Sequence, residues 1–181
     1  MMVNSVKKFL LCFVILVTFS LSSILYATIK RDEDIKKVNI EEQVLTSNSE
    51  SVYVYFPRLP DMKFVGEKLE FDRNLPREEK IKVVLKKLSE GPQDEELISV
   101  MPHDTVLNKV RVKNNIAYVD FSREFIENHP GGSMGEYNTL YSIVNSLTEI
   151  EGINAVDFSI QGEKLETYKG HCEFSEPLYR E

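Results

Sequence analysis

Cysteine is almost absent from this 181-residue chain: there are two, and Cys12 lies inside an uninterrupted apolar run, which leaves Cys172 alone in the polar remainder. No disulfide can staple a domain built from that remainder, and Cys172 reads as an unpaired surface or tail thiol with no neighbour that would activate it. Positive charge is scarce as well. Setting aside Lys7 and Lys8 leaves 20 Lys and Arg against 29 Asp and Glu, a net charge of −9. Such a surface repels phosphate backbones, so nucleic acid is excluded as an expected partner. The cluster Lys80, Lys82, Lys86 and Lys87 reads as the solvated face of a helix. Neither a Walker loop nor a GxGxxG turn occurs, which removes the common nucleotide cofactors. His103, His129, His171 and Cys172 lack the paired spacing of zinc ligands. No cofactor or metal is expected.

What the chain does have is a long hydrophobic run. Lys7 and Lys8 precede uncharged residues from Phe9 to Ile29, and Lys30-Arg31-Asp32-Glu33-Asp34 follows. A helix of that length spans about 30 Å of hydrocarbon. Residues 1–30 are therefore expected to form a single-pass membrane anchor, with the rest of the chain outside the cytoplasmic membrane by the positive-inside tendency. The alternative is secretion after signal cleavage, against which Leu25-Tyr26-Ala27 places a large residue where a small one is wanted. Residues 31–50 are polar and read as a linker.

From there the patterning predicts an α+β domain. Val52 to Phe56 is an aromatic and β-branched strand stopped by Pro57, and Lys68 to Asp72 alternates as a second. A helix begins near Pro76 with Glu78 and Glu79 in its first turn; Ile81, Val84, Leu85 and Leu88 form its apolar face, and Gly91-Pro92 ends it. A short helical turn at Glu95 to Ser99 is expected next. Val106 to Lys113 and Ile116 to Phe121 flank Asn114-Asn115, a hairpin signal. A second helix, Met134 to Ile150, opens on Ser133-x-x-Glu136, a capping-box pattern. Ala155 to Ile160 is a half-buried strand, Lys164 to Thr167 a further short one, and residues 171–181 a tail. The α-β-β-α-β order from Arg77 to Ile160 predicts a small mixed sheet with both helices on one face.

Val52-Tyr53-Val54-Tyr55-Phe56, the helix end Leu88-Ser89-Glu90-Gly91-Pro92, the hairpin end Val119-Asp120-Phe121-Ser122, and the helix Tyr141 to Thr148 ahead of Val156-Asp157-Phe158-Ser159-Ile160 occur in one order. Together they resemble the GerM domain of spore-forming bacteria over roughly residues 51–170. The resemblance implies an exported or membrane-anchored, non-enzymatic protein of sporulation or germination. Its α-β-β-α-β core also resembles the ring-building domains of sporulation and secretion machinery, which implies partnership with other sporulation membrane proteins or self-association. Members are often lipoproteins, whereas Cys12 here follows Phe9-Leu10-Leu11 instead of a small residue.

Two spots invite a functional reading. Asp120 and Ser122 place an acid and a hydroxyl at a strand end, which an enzyme acting on the cell wall would use. Capping of the turn at Arg123 to Ile126 by Ser122, with Asp120 bonding nearby backbone, is the structural alternative. Tyr53 and Tyr55 share a strand face and offer either a stripe for binding peptidoglycan or cross-strand packing. These four residues are carried forward as a candidate interaction surface, with no catalytic residue assigned.

Overall fold

The computed structural model describes Thr28, Lys30, Arg31, Lys36 and residues 48–181. The expected anchor at 1–30 and the linker at 31–50 fall almost wholly outside the described residues; among those described, no helix is long and apolar enough to cross a membrane. The chain separates into Met1–Asn48 and Ser49–Glu181, and the second unit is the α+β body that follows.

Strand β1 (Ser49–Pro57) pairs antiparallel with β2 (Phe64–Asp72), setting Tyr53 opposite Lys68 and Tyr55 opposite Gly66. Alternation buries Val52, Val54 and Phe56. Helix α1 (Arg77–Glu90) follows Pro76 and stops at Gly91, whose φ of 83° continues the chain where a side chain would be strained. Its four predicted apolar positions are all buried. The helix–coil balance is settled here by that packing more than by propensity.

Strands β3 (Leu107–Lys113) and β4 (Ile116–Phe121) are joined by Asn114 and Asn115 at φ 51° and 62°, the two left-handed positions that a tight hairpin requires. The chain then forms α2 (Glu124–Glu127) and α3 (Ser133–Leu147) and returns as β5 (Ala155–Ile160), parallel to β4. A short β6 (Leu178–Tyr179) pairs antiparallel with β5. The result is a mixed sheet in the order β3-β4-β5-β6 beside a separate two-stranded sheet, β1-β2. Val119, Phe121, Val156, Phe158 and Ile160 line the inner face of the larger sheet and join one core with residues of α1, α3 and β1. Helix α1 touches β3 and α3 touches β5, while both also touch β1. The register aligns Arg111, Tyr118 and Asp157 in one row and Lys109, Asp120 and Ser159 in the next, on the face opposite the core.

Four local expectations are corrected. Glu95 to Ser99 makes no helical turn; Leu59 N donates to Glu96 O and Ile98 N to Pro57 O, so the segment pairs with the end of β1 and buries Leu97. Helix α3 carries no capping box: Gly132 is its N-cap with no side-chain cap bond, and Glu136 is drawn into the interior. Lys164 to Thr167 is not a strand, and only the bridges Ile160 to Glu163 and Thr167 to Glu173 form there. Residues 171–181 are not a tail, since Phe174 is fully buried and β6 extends the sheet.

Candidate functional site

Asp120 stands at the end of β4 on the outer sheet face. Its Oδ1 accepts bonds from Ser159 Oγ and Gly162 N, both at 2.7 Å, and its Oδ2 accepts from Asn108 Nδ2 at 3.1 Å. Gln161 and Gly162, at φ 51° and 84°, form a two-residue turn closed by Ile160 and Glu163. The carboxylate thus ties β3, β4, β5 and that turn together. Both oxygens serve the fold, so Asp120 acts as a brace. Asp120→Ala is expected to cost about 1–2 kcal/mol, read as a lower urea midpoint with an unchanged slope.

Ser122 is buried and shares no bond with Asp120. Its Oγ accepts from Val106 N at 3.0 Å, while Ser122 N donates to Val106 O at 2.8 Å. The expected capping of the following turn is not made: Arg123 is the N-cap of α2 and has no side-chain cap bond. The Ser122 hydroxyl instead reaches Glu124 and lowers that carboxyl's pKa. Seating the chain as it enters β3 outweighs capping a helix of a single turn.

Tyr53 and Tyr55 lie on β1, in the other sheet. The Tyr53 ring is half-exposed and rests on Gly66, where an added Cβ would come within 2.9 Å of Tyr53 Cβ. Tyr55 is committed elsewhere: its hydroxyl donates to Glu149 Oε1 at 3.1 Å and accepts from Arg180 Nη2 at 2.8 Å, and the guanidinium lies 5.1 Å from the ring centroid. Burial, then Glu149, raises the Tyr55 pKa. The aromatic stripe is therefore one open ring and one covered ring. The four candidate residues divide between two sheets and share no bond.

The lysine cluster is dispersed. Lys80 pairs with Glu50 at 2.5 Å and Lys87 with Glu67 at 3.0 Å, their ammonium groups lying 5.4 and 5.8 Å from the ring centroids of Phe71 and Phe56, while Lys82 and Lys86 pair with Glu79 and Glu90. The glycine loop before α3 likewise has its amide engaged, because Gly131 N donates to His129 Nδ1 at 2.9 Å.

Two polar clusters escaped the sequence reading. His129, 4% exposed, donates from Nε2 to Thr139 Oγ1 at 3.1 Å, and that hydroxyl donates to Val100 O at 2.9 Å. Its Nδ1 already accepts from Gly131, so this relay holds a neutral ring. Burial, with Lys169 nearby, lowers the His129 pKa below its usual 6.5. The unfolded chain then binds the proton more readily, and stability should fall as pH drops below about 6.5 through the lowered folded value. His129→Gln should flatten the slope of unfolding free energy just below about pH 6.5; an unchanged slope would show that His129 does not carry this pH dependence. The second cluster is Glu136, fully buried, which accepts from His171 N at 3.0 Å, Cys172 N at 3.2 Å and His171 Nδ1 at 2.7 Å. His103 lies apart, exposed beside Asp104. Among the described residues no group of three metal-ligating side chains comes together.

A family model described as Germane, sporulation and spore germination, matches residues 51–166. No curated protein matches the chain. Among solved structures, the first GerMN domain of the sporulation protein GerM from Bacillus subtilis superposes with a TM-score of 0.58 at 24% identity, covering 72% of this chain and 98% of that one. The tandem GerMN domains of the same protein give 0.57 at 20% identity, covering 75% of this chain and 46% of that one. A Clostridium perfringens protein provisionally assigned as a lipoprotein gives 0.53 at 22% identity, covering 73% and 88%. At these identities the structural likenesses establish the fold.

Proposed function

We propose, from the premise that this chain belongs to the Germane family of sporulation and spore germination domains, that it is a membrane-tethered, extracytoplasmic assembly component acting through protein-protein contacts. The observation that carries the reading is the family match across residues 51–166. The use of Asp120 and Ser122 within the fold supports binding over catalysis. The apolar run from Phe9 to Ile29 supports the tether, and other sporulation membrane proteins or further copies of the chain are the partners proposed. Protease treatment of intact protoplasts expressing full-length protein with a C-terminal tag tests the placement. Digestion of the tag with an anchored remnant left in the membrane supports it; a protected tag contradicts it.

The half-exposed Tyr53 ring favours one second reading, a module that binds peptidoglycan. Sedimentation with purified peptidoglycan at low salt decides it, and protein left in the supernatant removes it.

A further inference from the structure

Between Ser49 and Glu181, among the described residues, nearly every Lys and Arg is engaged by an acid or a carbonyl. The exceptions are Lys109, Arg111 and Lys113, which are exposed at alternate positions on β3 and whose side chains make no hydrogen bond or ion pair. In a chain of net charge −7, leaving the unpaired cations on one strand face is a concentration of charge that the fold does not use. Strand β3 is also the end of its sheet. The outward amide of Val112 is held only by Glu78 Oε1 at 3.3 Å, so a carboxylate already reaches this edge.

Alternate residues on a strand recur about every 6.8 Å, and an added strand sets its side chains about 5 Å from their cross-strand neighbours. A segment with acids at every second residue would meet Lys109, Arg111 and Lys113 in register. The same charges repel a second copy of β3, as edge lysines commonly do. We propose that the outer face of β3, at the end of its sheet, docks an extended partner segment that carries carboxylates at alternate residues. The inference deepens the protein-interaction reading and rests on it.

The probe is a labelled synthetic peptide alternating Glu and Thr, compared by fluorescence anisotropy with a peptide of the same composition whose Glu residues form one block. Full-length protein in detergent micelles is used, so the result is independent of location and of sporulation. The alternating peptide should bind several-fold more tightly than the block, and K109E/R111E/K113E should weaken it about tenfold. K82E/K86E, on the paired lysines of α1, should leave binding unchanged. Thermal melts check the fold, and K109Q/R111Q/K113Q should give an intermediate loss. Equal binding of the two peptides, or indifference to the triple reversal, overturns the proposal. So does binding to phosphatidylglycerol vesicles that depends on the three cations while the peptide fails, which would make this a membrane-facing surface.

Discussion

Glu136→Ala is expected to destabilise the domain by about 3 kcal/mol and to lower Tm by roughly 10 °C. The carboxylate is fully buried on α3, yet it takes the two backbone amides of His171 and Cys172 as well as the His171 ring. Burial opposes the charge, but these donors more than offset it and hold the carboxyl below its usual pKa of 4.5. Truncation leaves two amides without their acceptor, each costing about 1–3 kcal/mol if water cannot replace it. The pH dependence follows with a definite sign. A carboxyl with a lowered folded pKa contributes fully above its unfolded value and loses that contribution as pH falls through the folded one. Acid sensitivity below about pH 4.5 should therefore weaken in Glu136→Gln, which cannot ionise. Differential scanning calorimetry across pH reads both effects. A Glu136→Ala protein that melts with the wild type would show that the loop is held by other means.

Tyr168→Ala should cost about 3–5 kcal/mol, the range for deleting a large buried ring, whereas Tyr168→Phe should cost about 1 kcal/mol. The ring is 1% exposed and lies 4.9 Å from Phe125, 5.0 Å from His129 and 5.5 Å from Phe174 between centroids. Its hydroxyl donates to Phe125 O at 2.7 Å, and burial pushes its pKa far up. The ring therefore joins the crossover after β4 to the C-terminal segment. Urea unfolding of both variants separates packing from the hydrogen bond: a small loss for alanine with a large one for phenylalanine would reverse the attribution.

Both large effects depend on a region that periodicity could not find, the segment beyond Gly162 that holds Tyr168 and the His171 and Cys172 amides bonded by Glu136. The apolar positions of α1 and the alternation of β1, β4 and β5 were legible because each element carries its own pattern and is bounded on one side by a breaker: Gly91 after α1, Pro57 after β1, Asn114-Asn115 before β4 and Gly162 after β5. Beyond Gly162 the chain has no such period. Tyr168, Phe174 and Leu178 enter the core one at a time, held by isolated bridges and by Glu136. The same cause explains the failed capping box. Ser133 and Glu136 have the right spacing, but the distant amides of His171 and Cys172 compete for the carboxylate and win. Nothing in the local sequence announces a donor 35 residues away.

The candidate residues follow the same line. Asp120 was expected to bond nearby backbone, but the amide it takes is that of Gly162, 42 residues along the chain, which its place at a strand end did not announce. The cover that Arg180 provides for Tyr55 was not readable, because the two are 125 residues apart. The unpaired row Lys109, Arg111 and Lys113 was visible as alternation, but its meaning depends on knowing that the other cations are paired.

The measurement that bears most directly on the central claim is co-purification of tagged full-length protein from the membranes of sporulating cells. The account predicts intact protein in the membrane fraction, bringing with it other sporulation membrane proteins or further copies of itself. A shortened, soluble form that captures no protein partner would contradict it.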